Sequence, residues 1–313
     1  MFVRRHWWAI LFSLFLASFT IYIIMDTFMI TRIYAVVPST DNSAKSSVVQ
    51  NQNDDNNNLS SADSNVIHND FTLINSYSDQ NKSITITQYR QYDTSIYVAD
   101  IKLSSIEYLK TAFAQNSYGR NVTEKTSQIA KRSNALLAIN GDYYGAQETG
   151  YVIRNGILYR STAAINQDDL VIYSDGSFDI ITEKEVPAQT LIANGALQVL
   201  SFGPALIDNG KTSVTDTSEV SKAMSSNPRT AIGIIDNLHY VFVVADGRTD
   251  ESKGLSLLQL SEFLKGLNVI TAYNLDGGGS STMYFNGEVI NNPTTSGKSI
   301  KERGVSDIVY IEY

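Results

Sequence analysis

The sequence contains no cysteine, so disulfides and thiolate metal sites are excluded. Such a chain fits an intracellular protein or a bacterial protein exported without disulfides. Histidine is nearly absent as well. Of three residues, His6 precedes a hydrophobic run and His68 lies in a polar stretch, which leaves His239 beside a turn. A histidine-rich zinc site is excluded. A Ser-His-Asp triad would need His239, and no serine sits in a G-x-S-x-G context, so His239 reads as a structural or rim residue. Basic charge is also short: 24 Lys and Arg stand against 32 Asp and Glu, a formal net charge of −8. That argues against a nucleic-acid partner. There is no internal repeat and no regular βα alternation.

One long apolar run is present. Trp7 to Met25 spans 19 residues without a charge, with Arg4 and Arg5 before it and Asp26 after it. At about 1.5 Å per residue a helix of that length spans the hydrocarbon core, and the flanking arginines favour an N-inside orientation. A cleaved signal peptide is the competing reading, but its apolar region is shorter, and "IYAVVPS" is only a partial cleavage signal. The preferred reading is a single-pass anchor in the cell membrane with an extracytoplasmic C-terminal domain, secreted if the segment is cleaved. Three regions follow: 1–30, a cytoplasmic stub and anchor; 31–70, a flexible Asn/Ser/Asp-rich tether; and 71–313, a folded domain. The tether, which includes "DNSAKSSVVQNQNDDNNNLSSADSN", has too few large apolar residues to offset its ordering entropy.

Hydrophobic residues make up 43% of the chain and charged residues 18%, enough for a large core. "SITITQYRQYDTSIYVADIKL" alternates in two strand-like runs. Ser104 to Glu107 has capping-box spacing for a short helix, and a second, weakly amphipathic helix is expected over Glu124–Ser133. "ALLAIN" is a buried strand, and "RTAIGIIDNLHYVFVVADGR" is a hairpin turning at Asp236-Asn237. "GLSLLQLSEFLKGLN" is the clearest helix: Ser256 and Gln259 form a capping box, and Gly266 suits its C-terminal end. "VITAYNL" then runs directly into "DGGGSST". The pattern predicts an α+β fold of layered, largely antiparallel sheets with a few flanking helices, preceded by one N-terminal transmembrane helix.

The glycine run fails two familiar tests. No lysine follows its last glycine as a Walker A loop requires, and "MYFNGEVI" after Thr282 is strand-like, not the helix a dinucleotide fingerprint opens. The chemistry that remains uses carboxylates, arginines, hydroxyls and backbone amides. Four glycine- or proline-marked strand ends carry it: Asn140-Gly141-Asp142, Asn227-Pro228-Arg229-Thr230, Asp246-Gly247-Arg248, and Asn274 to Thr282. Glycine permits close backbone approach to a ligand, and turn amides can bind anions. Arg229 and Arg248 can each grip a phosphate through paired hydrogen bonds. Taken singly, Asp246-Gly247 is an ordinary turn pair, Asn140 a turn cap and Arg229 a surface charge. Asp276 differs in being delivered by a buried strand to a hydroxyl-rich loop.

Together, "AINGDYYG", "GPALIDNG", "NPRTAIGI", "VVADGR", "GLSLLQLSEFL", "NLDGGGSSTMYFNGEVIN" and "ERGVSDIVYI" resemble, in order, the phosphodiester glycosidase family of uncovering-enzyme catalytic domains. Its bacterial members are described as exopolysaccharide-biosynthesis-related. The match runs from about Ala135 to Tyr313. The family often carries Gly-Gly-Phe-Phe-like residues after Asn-Gly, where this chain has Asp142-Tyr143-Tyr144. The resemblance implies hydrolysis of an N-acetylglucosamine-1-phosphodiester-type bond in a cell-surface polysaccharide or teichoic-acid-like polymer, or in a small sugar-1-phosphodiester. It implies Asp276 as base or nucleophile with Asp246 and Asp142 as rivals. Arg229 and Arg248, with the backbone of Gly278, Gly279 and Ser280, would take the phosphate. Asn140, Thr230, Ser281 and Thr282 would position substrate, and Arg303 would contact substrate or fix a carboxylate. No cofactor is required; oxygen-rich loops leave room for a structural calcium ion, but no EF-hand spacing supports one. The alternative is a non-catalytic binding module or accessory factor for phosphate-bearing exopolysaccharide. Protein partners are unknown.

Overall fold

The computed structural model describes residues 2–37, 70–215, 218 and 226–313. The N-terminal apolar run forms helix α1 (Phe2–Phe28). Among the described residues its 22-residue stretch Trp7–Phe28 is the one segment long and apolar enough to cross a membrane. Directly after it comes β1 (Arg32–Val36). The region read as a tether, 31–70, therefore begins with a strand; residues 38–69 lie outside the described residues. The domain continues with β2 (Asp70–Ser78), β3 (Lys82–Gln91) and β4 (Thr94–Leu103). The expected helix at Ser104 is a single 3₁₀ turn, Ile106–Tyr108. Its cap is Ser105, one residue later than the spacing predicts, whose hydroxyl accepts the Glu107 N–H. Next come β5 (Leu109–Phe113), β6 (Ser117–Arg120), β7 (Glu124–Lys125), α2 (Thr126–Arg132) and β8 (Ala135–Asn140). The middle of the chain supplies β9 (Val152–Arg154), β10 (Ile157–Arg160), β11 (Asp168–Tyr173), β12 (Phe178–Thr182), α3 (Ala188–Ala193) and β13 (Ala196–Leu200). The last part contains β14 (Ala205–Asp208), β15 (Lys211–Thr212), β16 (Arg229–Asp236), β17 (His239–Ala245), α4 (Leu257–Gly266) and β18 (Thr271–Leu275). It ends with β19 (Met283–Phe285), β20 (Glu288–Val289), β21 (Gly304–Val305) and β22 (Asp307–Glu312).

These strands build an eight-stranded sheet in the order β15-β14-β18-β16-β17-β4-β3-β2 and two five-stranded sheets, β20-β19-β8-β22-β5 and β10-β9-β13-β11-β12. The two short pairs are β1-β6 and β21-β7. Every pairing among the described residues is antiparallel. Period-2 alternation explains the layering. Along β4 and β17, Tyr97, Ala99, Ile101, Tyr240, Phe242 and Val244 face the five-stranded sheets. Their neighbours Ile96, Val98, Val241, Val243 and Ala245 face α4. A strand buried on both faces reads as a continuous apolar run, as "HYVFVVA" does. On α4, Leu257, Leu260, Phe263 and Leu264 complete that second core, each worth about 1.5–3 kcal/mol of burial. Its capping box forms as expected, with Ser256 accepting from Gln259 N at 3.1 Å and the Gln259 side chain accepting from Ser256 N at 2.9 Å. Gly266 remains inside the helix, and the left-handed residue beyond it is Asn268.

The register brings strand ends together. Leu275 ends β18 opposite Thr230, and Arg229 opens β16 opposite Ala245, the last residue of β17. In the neighbouring sheet Asn140 ends β8 opposite Ile308. The ends of β8 and β18 meet where Asp276 N donates to the Gly141 carbonyl at 3.2 Å.

Candidate active site

The loop after β18 is tightly packed. A Cβ on Gly277 would stand 2.8 Å from the Pro228 carbonyl oxygen, and one on Gly279 would stand 2.3 Å from Thr295 Oγ1. Gly278 adopts φ 61° and opens a 3₁₀ turn, Gly278–Ser280. Each glycine therefore solves a steric problem. Two of the three loop amides expected at a phosphate are bonded within the fold. Gly278 N donates to the Pro228 carbonyl at 2.8 Å, and Ser280 N donates to that of Gly277 at 3.3 Å.

Asp276 is 8% exposed at the end of its strand. Arg303 Nη2 donates to its Oδ2 at 2.9 Å. The same guanidinium donates to Ser280 Oγ through Nε at 2.9 Å and Nη2 at 2.6 Å, and the Ser280 hydroxyl bonds Asp276 in turn. Burial raises the Asp276 pKa, while Arg303 and Ser280 pull it back. The carboxylate is thus oriented and kept basic. Arg303 Nη1 has no partner among the described residues. Its guanidinium stands 5.9 Å from the Tyr143 ring, and Tyr143 holds a left-handed backbone, φ 65°, uncommon for a bulky residue.

Asn140 joins the two sheets beneath the site. Its Nδ2 donates to the Asp276 carbonyl at 2.6 Å, and its Oδ1 accepts from Thr230 Oγ1 at 2.9 Å and Thr282 N at 3.2 Å. Asn140 and Thr230 are fully buried, so they fix backbone instead of facing solvent. Ser281 and Thr282 are buried too, with hydroxyls that have no hydrogen-bond partner among the described residues.

The arginines divide. Arg248 is exposed and packs on Gly278, with Nη1 donating to the Thr295 carbonyl at 2.6 Å and Nη2 to Asn227 Oδ1 at 3.2 Å. Arg229 is buried and donates through Nε to the Leu255 carbonyl at 2.9 Å.

The rival carboxylates are bound into the fold. Asp246 accepts from Asn291 Nδ2 and Asn292 N, both at 3.0 Å, and from Asn292 Nδ2 at 3.3 Å. Burial raises its pKa, against these bonds and one from Tyr97. Asp142 is fully buried; its Oδ2 accepts from Arg154 Nη2 and Ser201 N, both at 2.8 Å, and its Oδ1 from Tyr144 N at 3.1 Å. Arg154 also binds Asp307 through Nε at 2.8 Å. Burial pushes Asp307 up to about 7 despite that guanidinium. Of the three candidate acids, Asp276 alone combines partial exposure with a half-open arginine. His239 is bonded to Asp100 at 3.0 Å at the opposite end of β17.

Sequence reasoning missed Arg154, Asp307, Tyr143, Thr295 and the Asn291-Asn292 pair. Arg154 closes the buried strand "VIR" after Val152 and Ile153, a position where a charge signals a buried partner. It also missed Asp169, whose wholly buried carboxyl lies beside Glu183 and Ser201. Burial, then the neighbouring Glu183, raises its pKa to about 10, so it stays protonated at neutral pH. No group of three or more His, Cys, Asp or Glu is placed to hold a metal among the described residues.

The family model for phosphodiester glycosidases matches residues 133–312, more than half of the chain. The SPbeta prophage-derived protein YomE of Bacillus subtilis is 28% identical over 218 residues, covering 68% of this chain and 33% of YomE. Human N-acetylglucosamine-1-phosphodiester alpha-N-acetylglucosaminidase is 29% identical over 182 residues, covering 53% of this chain and 35% of the human protein. The chain thus spans about a third of the length of these curated relatives. The zebrafish N-acetylglucosamine-1-phosphodiester alpha-N-acetylglucosaminidase catalytic domain, auto-inhibited by its pro-peptide, shares the fold. Its TM-score is 0.59 at 22% identity, over 78% of this chain and 88% of that one. With the matched region running from just before β8 through β22 and including every strand end that builds the site, the chain belongs to the phosphodiester glycosidase family.

Proposed function

We propose that this protein hydrolyses a sugar-1-phosphodiester of the N-acetylglucosamine-1-phosphodiester type, borne by a cell-surface polysaccharide or teichoic-acid-like polymer. The α1 helix would hold the enzyme at the membrane with its domain outside the cytoplasm. The observation that carries this reading is Asp276, a buried but accessible carboxylate held by Arg303 and Ser280, with the exposed Arg248 packed on Gly278 two residues on. The names of the human and zebrafish relatives support the substrate class.

In this mechanism Asp276 takes a proton from the water that attacks the anomeric carbon. The anomeric C–O bond breaks, and its electron pair leaves with the phosphate, which departs as a monoester. Phosphate is a better leaving group than an alcohol, so a strong general acid is less needed than in ordinary glycosidases. Arg303 Nη1 and Arg248 instead face the developing negative charge. The full-length protein, incubated with the methyl diester of N-acetylglucosamine 1-phosphate, should release free sugar and methyl phosphate by mass spectrometry. Asp276→Asn should lower turnover at least about 10²-fold, the scale of losing a positioned proton acceptor, with unchanged thermal unfolding. Turnover near the wild-type rate in that variant would remove Asp276 from its role. Retention of the diester without sugar release would instead mark a binding module.

A further inference from the structure

The helix and the domain are joined by structure as well as by sequence. Three residues, Met29 to Thr31, separate α1 from β1, and β1 pairs with β6 in the register Arg32↔Arg120, Ile33↔Gly119, Ala35↔Tyr118, Val36↔Ser117. Asn121 clamps the helix end, its Nδ2 donating to the carbonyls of Thr27 and Ile30, both at 3.1 Å. Val37 N donates to the Asn116 carbonyl at 2.7 Å. A 40-residue flexible tether would let the domain wander about 35 Å from its anchor; this clamp leaves no such freedom.

The strand beside the clamp exposes large apolar side chains around one ion pair, Arg32 with Asp26. Ile33, Tyr34 and Val36 are 54%, 59% and 74% exposed, next to exposed Phe28 and Met29 at the helix end. A row of large apolar side chains continuous with a membrane-spanning helix fits the interfacial layer of the bilayer. The same clamp leads to the candidate site. Asn121 N donates to the Gly145 carbonyl at 2.9 Å, and the Tyr118 ring, on the residue opposite Ala35, stacks on Tyr144 at 5.4 Å. The next residue is Tyr143, against Arg303.

We propose that β1 docks the domain flush on the bilayer and that its substrate is a phosphodiester-linked sugar carried on a lipid of that leaflet. The docking stands alone; the substrate rests on the function proposed above. A site held this close meets glycosyl phosphodiesters at headgroup depth before it meets polymer farther out.

The full-length protein in phosphatidylcholine vesicles tests both parts. Because the chain lacks cysteine, Val36→Cys with Ser117→Cys reports the β1–β6 pair without background. Antiparallel partners lie about 4.5–5.5 Å apart, within disulfide reach, so oxidation should crosslink nearly all molecules. No crosslink in a folded double variant overturns the docking. For the substrate, the methyl diester in solution is compared with the hexadecyl diester of the same sugar phosphate in the vesicles. Four EAAAK repeats inserted between Ile30 and Thr31 lift the domain by about 30 Å on a semi-rigid helix. Turnover of the hexadecyl diester should fall at least tenfold, while the methyl diester stays within twofold. Equal turnover of the hexadecyl diester with and without the insert overturns the lipid substrate. Wild-type inactivity on both diesters rejects the reaction itself, and with it the substrate, leaving the crosslink to decide the docking.

Discussion

At the residue scale, the chemistry turns on how one carboxylate is kept usable. Asp276 is buried enough for desolvation to raise its pKa, and Arg303 and Ser280 oppose that rise. The sign of a pH test follows. A base must be ionised, so activity should fall as pH drops through the Asp276 pKa, which burial sets above the ordinary 3.8. Arg303→Gln removes the lowering influence and leaves desolvation in place. The acidic limb of kcat/KM should therefore move to higher pH, and the plateau should fall about 10²-fold with the lost cation. A pH profile from 4 to 9 on the methyl diester checks this. An unmoved limb would mean that Arg303 does not set the basicity of the reacting group. Asp246 and Asp142 differ because donors already surround them: Asn291 and Asn292 hold one, Arg154 and Ser201 the other. In sequence each of the three acids stands beside a glycine at a strand end, and only the hydroxyl-rich loop after its buried strand sets Asp276 apart. What separates them is burial and partners brought from 12 to 59 residues away.

At the element scale, the glycine loop is a packed connection. Gly279→Ala would press a methyl group into Thr295, 2.3 Å away. Overpacking of this kind costs about 1–3 kcal/mol and would displace Ser280 and Arg303. Activity should fall at least about tenfold, with a lowered melting temperature. Gly266→Ala is the matched control: nothing lies within 4 Å of its added Cβ, and it sits in α4. That change should stabilise the protein by about 0.5–1 kcal/mol and leave turnover intact. Equal behaviour of the two variants in calorimetry and activity would deny the loop its special packing. Local elements were largely legible, because their causes are local. The Ser256 and Gln259 side chains cap α4 within one turn, and β3 and β4 alternate within ten residues each. The pairing of β8 with both β22 and β19, and the ion pair of Arg154 with Asp307 across 153 residues, depend on chain closure that no local pattern encodes. The strand β1 was missed because its partner, β6, lies beyond a long polar stretch whose composition dominates the reading.

At the scale of the whole molecule, the N-terminal segment is part of the architecture. Ala35 pairs with Tyr118, and Ala35 and Val37 pack on a small aromatic core of Phe113, Tyr118 and Tyr144. Cutting within "IYAVV", the partial cleavage signal, would sever β1 and uncover that core. Burying even one such apolar side chain is worth about 1.5–3 kcal/mol, a sizeable fraction of the 5–15 kcal/mol typical of a domain. The helix is also longer and more uniformly apolar than a cleaved leader needs. Both considerations favour retention of α1 in the working protein. The expected outcome is that protein purified from membranes still yields peptides from α1 by mass spectrometry. It should resist extraction by high salt or carbonate and dissolve only in detergent. A soluble, active form beginning after Val36 would show that neither helix nor strand is needed for the fold, and it would remove the anchor from any account of how the site meets its substrate.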